Sequence, residues 1–218
     1  YMGAKAVALP HRMENSFSFD ADELLALIND KTRLIILNSP ANPTGGVVPK
    51  KELQKLVTGL EKFPKVYILS DEIYSRILFD KNSHKSLFTF SEIKDRVIVL
   101  DGWSKTYSMT GWRIGYGIFP KKLFSFAEKL AINCHSCVNA ATQIASIEAL
   151  RGPQKAIDNM VKEFELRRNF LVNELEKINN VDCIIPGGAF YVFPKITKSN
   201  LSSLELSNYL LEQKFVAT

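Results

Sequence analysis

Several classes of protein are excluded by what this sequence has little of. It carries only three cysteines in 218 residues. An odd number cannot complete a disulfide framework, so a reducing compartment, the cytoplasm, is expected. Cys134 and Cys137 form a C-x-x-C within NCHSCVNAATQ. No second ligand pair is at hand for a metal and no thioredoxin-like context surrounds them, so two half-buried helix cysteines are expected, with His135 packed between them. Long hydrophobic runs are also missing: none reaches the roughly 20 residues of a membrane-spanning helix. Charge of one sign is in small excess, with 28 Lys and Arg against 23 Asp and Glu, or +5. That excess is scattered, as a solubility charge is, and offers no clustered basic face for nucleic acid. Internal repeats and low-complexity tracts are absent.

What remains is an ordinary globular balance, 46% hydrophobic and 23% charged. Apolar runs of strand length recur at 4–9, 33–38, 66–71, 97–102 and 113–119. They are rich in Ile and Val and do not alternate cleanly, which predicts strands covered on both faces, as in a parallel sheet. Helical periods lie between them, at 20–30 behind an Asp cap and at 49–63 with Pro near the first turn. Strand and helix in alternation imply an α/β fold. From 121 the pattern changes. One or two helices reach to about 152 and a long helix covers 152–179. A hairpin-like pair of short strands follows around Gly187-Gly188, then a final helix over SSLELSNYLLEQ. The division predicted is a large domain over 1–169 and part of a small α+β domain over 170–218.

Ligands of open α/β sheets sit at the carboxyl ends of the strands. After 33–38 comes NSPANPTGG, after 66–71 comes DEIY beginning at Asp71, and after 97–102 comes WSK with Lys105. Each has an ordinary reading: a turn, a cap, a surface lysine. Together they bring an amide, a carboxylate with a phenol at Tyr74, a primary amine, and the anion-binding fork of Arg113. A desolvated lysine attacks an aldehyde; a carboxylate pairs with a protonated ring nitrogen; an arginine takes a phosphate. These are the parts that a pyridoxal 5'-phosphate (PLP) site requires.

The segments SPANPTGGVVPKKEL, SDEIYSRILFD, SKTYSMTGWRIGYGIFP and GGAFYVFP, in that order and at suitable spacings, resemble the fold-type I aminotransferases of class I and II, and among them the aspartate and aromatic aminotransferase-like subgroup. The resemblance implies a homodimeric enzyme that moves an amino group from an amino acid to a 2-oxo acid. It implies Lys105 as the lysine in Schiff-base linkage to PLP and as the proton carrier. Asp71 would pair with the pyridinium nitrogen, Tyr74 and Asn42 would bond the ring hydroxyl, and Asn42 would also reach the substrate carboxylate. Arg113, helped by Ser104, would bind the phosphate. Phe190 or Tyr191 would face the substrate, with plain packing in the hairpin as the equal alternative. Ser39-Pro40 and Asn42-Pro43 stand where the family uses cis peptide bonds. Two positions depart from the pattern: Trp103 replaces a small or aliphatic residue, and Gly102 replaces a serine, leaving more of the phosphate to Arg113 and backbone amides. The sequence opens and closes on strand-like segments, so it is expected to be an internal piece of a longer chain. A β-eliminating lyase, another PLP enzyme, or a PLP-binding regulator domain fits the same motifs.

Overall fold

The computed structural model describes residues 3–218. Its main sheet has four strands in the order β1 (Leu34–Asn38), β2 (Tyr67–Asp71), β3 (Val97–Gly102) and β4 (Gly115–Ile118). The first three are parallel and β4 runs antiparallel to β3. Asn38 lies opposite Asp71, and Asp71 opposite Leu100, so the carboxyl ends of the parallel strands open together.

Two helices cover one face of this sheet, α1 (Ala21–Ala26) and α2 (Lys50–Leu60). Asp20 caps α1 by accepting from the Asp22 and Glu23 amides. In α2 the buried positions are Leu53, Leu56, Val57 and Leu60, the helical spacing that lays one stripe on the sheet. They pack with Phe19, Leu37, Ile68, Val97 and Val99 into the main core. The end of α2 is closed from outside: the Arg96 guanidinium donates to the carbonyls of Leu60, Phe63 and Val66 at 3.3, 2.8 and 3.0 Å. Carbonyls at a helix end need such donors.

The expected coverage of both faces does not hold. Ile36 is 68% exposed and every residue of β4 is exposed. Residues 4–9 form no strand either. Their composition suits one, but a strand exists only through a pairing edge; Leu9 alone of this run packs on the core, and Val7 lies open.

Beyond the sheet come α3 (Lys121–His135), α4 (Ala140–Arg151) and α5 (Lys155–Leu175), then β5 (Val181–Asp182), β6 (Lys195–Ile196) and α6 (Ser203–Lys214). A capping box joins Ser202 and Glu205 at the start of α6. The cysteine pair departs from expectation. Cys134 and Cys137 are both exposed, and Cys137 lies outside the helix because Ser136, at a φ of 58°, ends α3 before it. Among the described residues no group of His, Cys, Asp and Glu is placed to hold a metal, and no helix is long and apolar enough to cross a membrane.

The predicted hairpin around Gly187-Gly188 is smaller than expected. β5 and β6 pair over two residues each, and the segment between them is spent elsewhere. The Gly187 and Gly188 amides donate to the Gly45 carbonyl, Phe79 N–H donates to the Gly187 carbonyl, and Ala189 N–H donates to the Ile77 carbonyl. Backbone groups committed to the loops after β1 and β2 cannot also form a hairpin ladder. Arg168 of α5 reinforces this docking. Nearly buried, it pairs with Asp80, stacks 4.8 Å from the Phe79 ring, and donates to the Pro186 carbonyl at 2.9 Å.

Candidate active site

Three strand-end loops and the 186–191 segment meet at the open edge of the sheet. The first loop, after β1, is tied to the second strand by Asn38. Its side-chain amide donates to the Asp71 carbonyl at 3.1 Å, and its side-chain oxygen accepts from the Asn42 amide at 2.7 Å. Ser39 N–H also donates to the Asp71 carbonyl. Ser39-Pro40 and Asn42-Pro43 are both cis. The loop closes on itself through Ala41 N–H to the Gly46 carbonyl and Gly45 N–H to the Ala41 carbonyl, each 2.9 Å. Asn42 itself stays exposed at its tip.

Asp71 ends β2 half-buried, and its Oδ1 accepts from the Ile73 amide at 3.2 Å. Tyr74 is 2% exposed. Its phenol shares a hydrogen bond of 2.5 Å with the Tyr191 phenol, and its ring meets Phe190 and Tyr191 edge-on at 5.3 and 5.7 Å. Burial, then the bond to Tyr191, raises the Tyr74 phenol above the ordinary tyrosine range, so it carries its proton at neutral pH.

Lys105 stands in the third loop, after β3. Its Nζ lies 6.0 Å from the centre of the Tyr74 ring and 5.6 Å from that of Phe190. The same loop contains Ser104, whose carbonyl accepts from the Thr110 hydroxyl at 2.9 Å; the Thr110 carbonyl in turn accepts from Arg113 Nη1 at 3.0 Å. Arg113 sits at a φ of 55° with its side chain exposed. Lys105, Tyr74, Phe190 and Tyr191 are thus one contact group. Asn42 is tied by its backbone amide to Asn38, and Asn38 to the Asp71 carbonyl, with no hydrogen bond to this group; Ser104 and Arg113 flank it in the lysine loop.

The two unusual residues before Lys105 have structural reasons. Gly102 pairs with Gly115 across β3 and β4, and a Cβ there would lie 2.9 Å from Gly115 Cα. A serine does not fit this backbone. Trp103 turns away, donating from Nε1 to the Ser146 carbonyl of α4 at 3.1 Å and packing edge-on against Tyr116. Behind β3, burial raises the Asp101 carboxyl, and burial together with Asp101 pushes the Tyr116 phenol up to about 12.

Reading the residues one at a time left out Asn38 and the cluster behind Asp71. There Glu72 accepts hydrogen bonds from Ser70, His84 and Ser86. The only sequence signal was an acid beside Asp71 and a polar SHKS stretch, which reads as any solvated loop.

Gly188 is the tightest point of the docked segment. A Cβ there would lie 2.8 Å from the Ile77 carbonyl and 3.0 Å from two carbons of Pro40. Gly188→Ala should cost about 1–3 kcal/mol and displace Phe190 and Tyr191. Thermal unfolding reads the first effect, and the near-ultraviolet circular dichroism of the tyrosines reads the second.

The profile of the family described as aminotransferase class I and II matches residues 1–218. Aspartate aminotransferase of Pyrococcus horikoshii is 38% identical over 212 residues, covering 96% of this chain and 54% of that protein. A probable aspartate/prephenate aminotransferase of Rickettsia prowazekii is 38% identical over 216 residues, with 94% and 54% covered. Among solved structures, the aspartate aminotransferase of Rhizobium meliloti superposes with a TM-score of 0.89 at 33% identity, covering 94% of this chain and 54% of that one. The aromatic aminotransferase of Pyrococcus horikoshii gives 0.91 at 33% identity, with 97% and 57% covered. The chain spans about half the length of the relatives it matches. In sequence and in backbone course, this chain belongs to the class I and II aminotransferase family.

Proposed function

We propose that the protein is a PLP-dependent aminotransferase, exchanging the amino group of an amino acid with the oxo group of a 2-oxo acid. The observation that carries the reading is the grouping of Lys105 with the Tyr74 and Phe190 rings at the strand ends, beside the half-buried carboxylate of Asp71. The set fits the cofactor by its chemistry. It offers an amine for the aldehyde, a carboxylate for a protonated ring nitrogen, and a phenol kept protonated for the ring oxygen. It also offers an exposed guanidinium for the phosphate. When bound, the cofactor supplies a cationic ring that accepts the electron pair left when the substrate Cα–H bond breaks.

The chain's own residues then do the following. Asp71 would hold negative charge against the ring nitrogen and favour its protonated form. Tyr74 donates from its phenol, and Asn42 offers its amide to the ring oxygen and to the substrate carboxylate. Arg113 and Ser104 hold the phosphate end. Lys105 would take the proton from the substrate Cα as a general base and hold it for return as a general acid. Phe190 and Tyr191 wall the substrate side. In this reading residues 1–169 form the cofactor domain and 170–218 belong to a small domain, which reaches the site through 186–191.

The exposed Phe124, Phe126, Leu130 and Ile132 of α3, which has no buried residue, support a homodimer. The cytoplasm is the compartment that suits its free cysteines.

The test is an amino-donor panel of aspartate, alanine and phenylalanine on the intact protein with PLP and a 2-oxo acid acceptor. Transfer dependent on the acceptor is expected. Release of pyruvate, ammonia and a thiol from an S-alkyl cysteine without an acceptor, with no transfer from the panel, would replace this reading with a β-eliminating lyase, and PLP binding with no turnover would replace it with a regulator domain.

A further inference from the structure

Directly behind Asp71 lies a carboxylate that no step above uses. Glu72 is 5% exposed. Its Oε1 accepts from Ser70 Oγ and Ser86 Oγ, each at 2.9 Å, and its Oε2 from His84 Nε2 at 2.9 Å. These hydrogen bonds, His84 foremost, outweigh burial and hold the Glu72 carboxyl below the usual carboxylate range. An ionised carboxylate only accepts, so His84 Nε2 carries a proton. The Glu72 backbone is fixed as well: its N–H donates to the Leu100 carbonyl at 2.8 Å, carrying the β2–β3 ladder one residue past Asp71. Asp101, from β3, is the other acid whose charge reaches Glu72.

Side chains alternate along a strand. Ile68 and Ser70 are buried toward α2, while Leu69 and Asp71 are half-exposed on the opposite face. Glu72 continues the buried row. A clamp on its side chain therefore fixes the backbone from which Asp71 projects the other way.

We propose that Glu72, held by Ser70, Ser86 and His84, is a positioning residue that sets the aim of the Asp71 carboxylate. The proposal rests on the assignment of Asp71 to the cofactor ring. A buried polar group whose partners are removed leaves the remaining donors unpaired, and the segment shifts to find others. Here that shift lands on Asp71.

The Ile73 amide, bonded to Asp71 Oδ1 at 3.2 Å, reports the aim of Asp71 with no cofactor present. Amide hydrogen exchange on the cofactor-free intact protein is the first measurement. Glu72→Ala should speed exchange at Ile73 at least tenfold, with amides of α5 unchanged. Ser86→Ala and His84→Ala, which each remove one donor and test the same clamp should Glu72→Ala fail to fold, should give smaller increases of the same kind. Glu72→Gln, whose amide oxygen still accepts from both serines, should restore most of the protection. The second measurement is the pH titration of the visible absorbance of the PLP-loaded protein. Asp71→Asn should move its midpoint, and Glu72→Ala should move it the same way by a smaller amount, with kcat reduced about tenfold or more and KM within twofold. If melting temperature falls but Ile73 exchange and the midpoint stay at wild-type values, Glu72 is only structural and the proposal is wrong. If Asp71→Asn leaves the midpoint unmoved, the assignment of Asp71 fails, and the proposal with it, whatever Glu72 does.

Discussion

Borohydride reduction of the intact, PLP-loaded protein is expected to fix the cofactor on Lys105 and on no other lysine, as read by peptide mass spectrometry. Lys105→Ala should remove the label and lower turnover by about 10⁴-fold, the upper end of what a positioned acid–base supplies. Lys105→Arg should be as inactive, although it keeps the positive charge. A guanidinium does not lose its proton in a protein, so it can neither attack an aldehyde nor accept a proton from Cα. The pair of variants separates two roles for this residue. If charge alone mattered, near Tyr74 and Phe190, Lys105→Arg would retain activity. A label on another lysine, or substantial turnover by either variant, would remove Lys105 from the chemistry.

The second large effect is expected at Asp71. Asp71→Ala should leave the fold in place, because among the described residues the side chain makes one hydrogen bond, accepted from the Ile73 amide, while the backbone keeps its ladder and its bonds from Asn38 and Ser39. Turnover should nevertheless fall about 10²–10³-fold, or about 2.7–4 kcal/mol, the scale of losing one preorganised electrostatic contact. Without the carboxylate a bound ring nitrogen would not be held protonated, and the ring would be a poorer electron sink. Circular dichroism checks the fold and the donor panel the rate. Near-normal turnover in a folded Asp71→Ala would overturn the role.

Much of this was legible in the sequence for a definite reason. Strand ends in α/β sheets are marked by an apolar run that stops at a polar residue, so 33–38, 66–71 and 97–102 gave away Asp71 and Lys105 by position. What stayed hidden depended on partners far along the chain. The 4–9 run has strand composition but pairs with neither edge of the four-stranded sheet. The short ladder at 181–182 and 195–196 reflects backbone bonds from Gly187 and Gly188 to Gly45, which no local pattern announces. Glu72 was hidden for the same reason: its importance comes from Ser86 and His84, which return to it from a loop that resembles solvated chain. Tyr191, which the resemblance left facing the substrate or simply packed in the hairpin, hydrogen-bonds the Tyr74 phenol in the fold, a pairing across 117 residues that no local pattern shows.

The reversal of β4 against β3 has a consequence for how this site can vary. Gly102 and Gly115 are locked face to face, so residues 103–114 form a closed cassette with both ends pinned. Lys105 sits near one pin and Arg113 near the other. Substitutions inside the cassette, or changes in its length, can retune the spacing between amine and guanidinium while the two pins stay where they are. Side chains in a strand alternate with a period of two. A one-residue slip of β4 itself would turn its side chains to the other face, carrying the Tyr116 hydroxyl off Asp101 and the ring off Trp103. In this part of the molecule, the pins are held more tightly than the loop between them.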